Sequence, residues 1–177
     1  MREFFYPQSV AVVGVSPRPG NLGQGIVGNM TRFGFKGILY EVGPSGGIWA
    51  GRRIYRSVSD IPDKVDLAVI LTPARTVADV LAECGEKGIR HVVVETGGFR
   101  EHGEEGKAHE ARVVEVLKRY GIRMIGPNGL GVINAEIGLA APFMPIEERW
   151  RPGDVSIIAQ SGGVGLSLIS LLAEENL

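Results

Sequence analysis

Val10-Ala-Val-Val-Gly-Val-Ser-Pro-Arg-Pro-Gly20 is a short apolar run that breaks into a turn holding two prolines and two glycines. The run shows no polar alternation, so it reads as a strand buried on both faces, as in a parallel sheet covered by helices. The sequence downstream repeats the theme. Helix signals run from Gly25 to Phe33, with Ile26, Met30 and Phe33 on one face. Ile38 to Val42 is a second strand, and Gly43 to Gly51, with four glycines and a proline, reads as a turn-rich loop. Val65 to Leu71 is a third strand, followed by a helix from Ala74 to Lys87, with Pro73 at its first position and Thr72 as its cap. His91 to Thr96, a helix from Glu104 to Tyr120, and Arg123 to Gly126 complete the series. Strands alternating with helices predict an α/β fold, a Rossmann-like parallel sheet with helices on both faces.

The C-terminal part reads differently. Residues 131–153 hold Pro142, Pro145 and Pro152 with little periodicity, and read as a linker or interdomain strap. Val155 to Ala159 then reads as a new strand and Val164 to Glu174 as a new helix, joined by the turn Gln160-Ser161-Gly162-Gly163. The expected organisation is a complete domain over residues 1–130, a strap over 131–153, and the first strand and helix of a truncated second domain over 154–177.

Composition narrows the function classes. Hydrophobic residues make up 44% and charged residues 22% of the 177, which is globular composition. With 19 Lys and Arg against 20 Asp and Glu, the net charge of −1 gives no bulk attraction for nucleic acid. No apolar run reaches membrane-spanning length. The start, Met1 to Pro7, lacks an apolar stretch and a cleavage signature. Cys84 is the single cysteine and reads as a buried thiol beside Leu81. A reducing, cytoplasmic setting is the expectation, with no membrane and no nucleic-acid partner.

In open parallel sheets, ligands sit beyond the carboxyl ends of the strands, where free N–H groups at helix starts bind phosphate oxygens. Gly14, Gly20, Gly23 and Gly25 are read as letting the chain approach a phosphate, with Arg18 adding charge. Tight packing of the turn is the competing account. The GxGxxG pattern is absent, because Ser16 takes the second glycine position. Glu41, ending the second strand, could hold a ribose hydroxyl, although it stands farther from Gly14 than the usual spacing of about 20 residues. Thr72-Pro73-Ala74, Gly97-Gly98-Phe99 and the Gly126-Pro-Asn-Gly-Leu-Gly131 turn end other strands and fall on the same edge. Ser161 sits at a strand–turn–helix junction, but the GxSxG spacing is missing and no histidine follows it. It reads as an N-cap whose turn faces an anion, or as a plain N-cap. His91, His102 and His109 form no metal-ligand spacing, so no metal site is expected.

Taken together, Ser9 to Asn21, Val65 to Ala74, Gly97 to Phe99, Gly126 to Gly131 and Ala159 to Gly163 resemble the N-terminal region of the nucleoside-diphosphate-forming acyl-CoA synthetases. That family includes ADP-forming acetyl-CoA synthetase and the alpha subunit of succinyl-CoA synthetase. The motifs occur in order over nearly the whole chain. The resemblance implies a CoA-binding domain followed by the start of a flavodoxin-like α/β domain. It places CoA phosphates or ribose near Gly14, Ser16, Pro17, Arg18 and Asn21, and the adenine end near Thr72, Pro73 and Ala74. Gly97, Gly98 and Phe99 would border the thiol-bearing arm, and the Asn128 loop would lie near the thioester. Ser161 and Gly162 would start a helix facing the phosphate of a phosphohistidine loop.

The family interconverts acyl-CoA, nucleoside diphosphate and phosphate with acid, CoA and nucleoside triphosphate. None of the three histidines matches its relay histidine, and nothing here matches its grasp-type nucleotide-binding domain, so no catalytic residue is assigned. Implied partners are CoA or acyl-CoA, the remaining synthetase domains or a beta subunit, and the likeness leaves room for a homo-oligomer. Three departures stand out. Val42-Gly43-Pro44-Ser45 replaces the frequent Asn-Pro-Lys, removing a lysine that would contact phosphate. Gly129 stands in place of a cysteine, and Glu95-Thr96 occupies positions where smaller residues are common. A stand-alone CoA-binding regulator, a nicotinamide-dependent oxidoreductase domain and an unliganded structural domain of a larger complex are the competing readings.

Overall fold

The computed structural model describes residues 1–146 and 150–175. The strap 131–153 and the C-terminal unit 154–177 each include positions outside the described residues, 147–149 and 176–177 respectively.

Seven strands form one sheet: β1 (Ser9–Val13), β2 (Ile38–Val42), β3 (Gly47–Trp49), β4 (Arg52–Tyr55), β5 (Leu67–Ile70), β6 (His91–Val94) and β7 (Arg123–Ile125). Their order is β3-β4-β2-β1-β5-β6-β7. All neighbouring pairs are parallel except β3 with β4, a hairpin that adds an antiparallel edge. Without that edge strand, the order is the doubly wound one in which the chain reverses direction about β1.

Burial follows the alternation of side chains along each strand. Ala11, Val13, Ala68, Ile70, Val92 and Val94 face α3 (Ala74–Lys87) and α4 (Gly103–Tyr120) through Val77, Leu81, Cys84 and Val113. Val10, Val12, Leu67, Val69 and Val93 face the other way, onto Ile26, Val27 and Met30 of α2 (Leu22–Phe33), Phe4 of α1 (Arg2–Phe5), and Leu139. Both faces are therefore dry, as the unbroken apolar runs require. The α2, α3 and α4 helices each end at a left-handed glycine, Gly34, Gly88 and Gly121, a conformation that costs glycine little.

Four expectations need correction. The loop 43–51 contains β3, because Gly46 and Gly47, both at positive φ, reverse the chain so that Gly47–Trp49 pairs back on β4. Residues 131–146 are not a bare strap: they carry the hairpin β8 (Ile133–Asn134) and β9 (Leu139–Ala140), whose Leu139, Ala140 and Ala141 are fully buried. Val155 to Ala159 forms no strand, since none of the described residues pairs with it to complete a ladder. Thr72 does not cap α3. Pro73 occupies the cap position, and the Thr72 hydroxyl instead accepts from Thr76 Oγ1 at 3.1 Å. The last helix, α5 (Gly162–Glu174), packs Leu166, Ile169 and Ala173 against Phe33, Ala140, Ile146 and Trp150.

Candidate functional site

The crevice lies where β1 separates β2 from β5, beyond their carboxyl ends. Here three chains pass at backbone contact. The Gly14 and Val15 amides both donate to the Val42 carbonyl at 2.9 Å. Gly14 has φ +117°, and any Cβ there would run into the Leu71 carbonyl. A Cβ on Gly43 would strike the Val15 carbonyl, and one on Gly23 would sit 2.8 Å from the Gly14 oxygen. Gly25 is pressed against the Phe143 carbonyl. Gly14, Gly23 and Gly25 are thus glycines because protein backbone occupies the space. Of the four, only Gly20, at φ +75°, faces open space where a Cβ would stand.

The turn 14–21 is held from within. Asn21 stands at the cap position of α2, yet its side chain points back: Oδ1 accepts from the Ser16 amide at 3.1 Å and Nδ2 donates to the Gly14 carbonyl at 2.9 Å. Gln24 Nε2 donates to the Ser16 and Arg18 carbonyls at 2.7 and 3.2 Å. These bonds occupy the Gly14, Ser16 and Arg18 carbonyl oxygens. They also leave α2 without a side-chain cap, so its first N–H groups, on Leu22 and Gly23, find no partner among the described residues. Ser16 is half-buried, while Pro17 and Arg18 are exposed. Arg18 makes no ion pair among the described residues.

The neighbouring strand ends are tied into one rim. Thr96 Oγ1 accepts from the Thr72 amide at 3.2 Å and donates to the Thr72 carbonyl at 2.7 Å, and the Asn128 amide donates to the Thr96 carbonyl at 2.9 Å. Gly97 lies beside Asn128, whose side-chain oxygen would be 3.1 Å from a Cβ on that glycine. Asn128 itself adopts φ +56°. Gly98, at φ +97°, sits over Ala74, and its amide donates to Glu101 Oε1 at 2.7 Å. That bond is among those that lower the Glu101 pKa, after the bond to its own backbone. Ala74 and Gly98 line a groove of about 210 Å³ with Arg75, His102, Glu105 and His109. Phe99 departs from the set, because its side chain is 1% exposed and belongs to the core under α3 and α4.

Glu41 is no ribose ligand. It is buried, and its Oε1 accepts from Arg52 Nε at 2.8 Å, while Arg52 also donates to the Leu39 carbonyl. Burial raises its pKa and the guanidinium opposes that shift. Ser161 caps α5 weakly, accepting from the Val164 amide at 3.4 Å, and Gly162 abuts the Leu130 side chain. His91 is edge-on to Phe4 and 3.5 Å from Glu3, and burial lowers its pKa. Among the described residues, no three His, Cys, Asp or Glu side chains gather as metal ligands.

Sequence reasoning missed two contributors and noted a third without a role. Gln24 fixes the turn, although a polar residue in the first helical turn, three positions after Asn21, was visible. The Arg56 side chain lies against the Gly43–Gly46 turn at the end of β4, about 3 Å from where a Gly46 Cβ would be, and it makes no ion pair among the described residues. Glu95 is the third: it is buried at the end of β6 with both carboxyl oxygens unbonded.

The rim fits an anionic ligand. The segments 14–21, 71–75 and 126–131 contain no acidic residue, while Arg18 and Arg75 stand exposed on them. Uncapped N–H groups at a helix start complete an anion-binding arrangement.

The family described as "CoA binding domain" matches residues 8–135. The chain is 44% identical over 162 residues to an ADP-forming acetate–CoA ligase II of Archaeoglobus fulgidus, covering 92% of this chain and 24% of that one. It is 43% identical to the alpha subunit of ADP-forming acetate–CoA ligase I of Pyrococcus furiosus, covering 96% and 37%. Among solved structures, an acetyl-coenzyme A synthetase 1 from Ca. Korarchaeum cryptofilum superposes with a TM-score of 0.88 at 38% identity, over 99% of this chain and 37% of that one. The chain therefore spans between about a quarter and two-fifths of the length of these relatives.

Proposed function

The chain belongs to the CoA binding domain family, in the form found in the NDP-forming acyl-CoA synthetases, and from that premise we propose that its crevice holds CoA or acyl-CoA for an ADP-forming acyl-CoA ligase. The observation that carries the reading is the diversion of Asn21. An ordinary cap would satisfy the first α2 amides, whereas here that side chain organises the turn and leaves those amides to a ligand. Phosphate or ribose oxygens would meet these N–H groups and Arg18, around Gly14, Ser16 and Pro17. Thr72, Pro73 and Ala74 would border the adenine, and Gly97, Gly98, the Phe99 backbone and Asn128 the thiol-bearing arm. Arg56 would supply positive charge beside the turn where Ser45 stands in place of the family's lysine.

When bound, CoA supplies the thiol that carries the acyl group. This chain's residues bind and orient it, and the wider reaction exchanges acyl-CoA, ADP and phosphate with acid, CoA and ATP. Residues 154–177 would open a flavodoxin-like domain, with Ser161 and Gly162 at a helix start facing a phosphorylated histidine loop. The partners would be the remaining synthetase domains or a beta subunit.

A nicotinamide cofactor is disfavoured by one observation, the engagement of Glu41 with Arg52 inside the sheet. Calorimetric titration of this chain with CoA, dephospho-CoA and NAD separates the readings. CoA should bind most tightly, and absent CoA binding, or binding no tighter than that of NAD, would overturn the proposal.

A further inference from the structure

A buried carboxyl with no hydrogen-bond partner is costly, and an apolar residue would fill its volume without that cost. Glu95 is such a group: it is 3% exposed and neither oxygen is bonded. The stretches around it carry no second ionisable residue. Residues 92–98 hold no other, and residues 22–31, 68–74, 126–134 and 139–146 hold none. No opposite charge therefore comes from these stretches, and no neighbouring charge offsets the burial of the carboxyl.

Its place in the fold is specific. Oε1 lies against Gly131, which adopts φ +80°. A Cβ there would collide with that oxygen and come within 2.9 Å of Ala141 Cβ. The turn on one side is fastened to Thr96 through the Asn128 amide. The segment on the other side is fastened to α2, since Asn29 Nδ2 donates to the Pro142 and Met144 carbonyls at 2.7 and 2.8 Å, and the Ile146 amide donates to Asn29 Oδ1 at 2.9 Å. Glu95 thus stands where the Asn128 turn, the Ala141–Phe143 segment and the sheet converge.

We propose that Glu95 is a positioning residue for the crevice: its uncharged carboxyl is the wedge that seats the Gly126–Gly131 turn against the Ala141–Phe143 segment, and its ionisation unseats both. The effect on CoA rests on the reading of the crevice as the CoA site. Burial pushes the Glu95 carboxyl from the ordinary carboxylate range up to about 9, and the Phe143 amide opposes this without reaching hydrogen-bond geometry. The sign follows. In the unfolded chain the group ionises in the ordinary range, so between there and about 9 the folded state alone holds the proton. Its contribution to stability is full below that range and declines as pH rises to about 9. Above that, a charge sits beneath the Gly126–Gly131 turn, which carries no acid of its own, and it can be hydrated only by lifting the turn or the segment.

The test compares the parent with Glu95→Gln, which keeps the shape and cannot ionise, and with Glu95→Ala, which removes the wedge. Amide hydrogen exchange over residues 126–146, without ligand, is measured at pH 7 and pH 10, variant against parent at each pH. Parent and Glu95→Gln should be equally protected at pH 7, and at pH 10 the parent should exchange at least about tenfold faster. Glu95→Ala should exchange faster at both. Equal protection of parent and Glu95→Gln at pH 10 would overturn the wedge. CoA titration is then run on the same pair, so that CoA's own titrating groups cancel. The parent's affinity should fall relative to that of Glu95→Gln between pH 8 and 10, and parallel profiles would overturn the coupling. If the parent binds no CoA at pH 7 while the exchange difference appears, the CoA reading fails and the positioning role stands.

Discussion

The chain twice sets an apolar run, a glycine turn and a helix in succession, with opposite results. Ser9–Val13 is paired on both sides and buried at every position. Val155 to Ala159, similar in character, has no strand partner among the described residues: Val155 is 54% exposed and Ile158 fully so. Their helices differ in the same way. The inner face of α2 is buried against the sheet, whereas α5 has no buried residue and leaves Val164, Leu168 and Leu171 exposed. β-propensity measures fitness for a half-buried, paired surface, and without a ladder it has nothing to act on. The first turn is consequently defined by three strands, and the second is a helix start whose side-chain cap is one long hydrogen bond.

The largest test of that contrast lies in the glycines. Gly14→Ala combines a left-handed backbone with a collision against the Leu71 carbonyl, and should cost about 3 kcal/mol or more. Gly163 has nothing within 4 Å of a Cβ and lies in the first turn of α5. Gly163→Ala should be neutral or stabilising by up to about 1 kcal/mol. Urea denaturation of both variants measures the difference, and similar costs would mean that the two turns are equally constrained.

The strands provide the next test. Val12 is completely buried between α2 and the sheet, so Val12→Ala should lower stability by about 2 kcal/mol. Ile158→Ala should stay within about 0.5 kcal/mol, because the side chain it removes is already in water. A loss above 1 kcal/mol for Ile158→Ala in thermal unfolding would show that the segment is packed in solution.

What the sequence made legible divides along the same line. Continuous apolar runs marked β1, β2, β5, β6 and β7, though not the inner strand β4, and Pro73 marked the start of α3. Gly47–Trp49 was not legible, because a three-residue strand inside a glycine-rich loop has no period to detect and depends on pairing with Arg52–Tyr55. Residues 131–146 read as a strap because their burial arises from α2 and the sheet, a tertiary property of residues distant in sequence. At the site, the order of the strand-end turns was readable. The direction of the Asn21 side chain was not, since an asparagine before a helix signals a cap whether it bonds forward or backward. Glu95 was visible as an oddity at a strand end. Its isolation became apparent only once the segment carrying Ala141 folded over it.

The smallest effect is the most specific. Asn21→Ala removes two bonds that close the first turn, at 2.9 and 3.1 Å, and should cost about 1–2 kcal/mol. Ser161→Ala removes a single exposed bond of 3.4 Å and should cost about 0.5 kcal/mol, confined to α5. Stability alone could not distinguish a ligand-binding turn from a merely well-built one, so the same variants are titrated with CoA. Asn21→Ala frees the Gly14 carbonyl and the Ser16 amide, so the turn can no longer hold the α2 amides and Arg18 in one orientation. Its CoA affinity should fall about tenfold, equivalent to ~1.4 kcal/mol. Ser161→Ala should bind CoA like the parent, because its hydroxyl bonds only the Val164 amide of its own helix and holds no part of the first turn. Equal losses in the two variants would remove the distinction between the turns on which the assignment of the crevice depends.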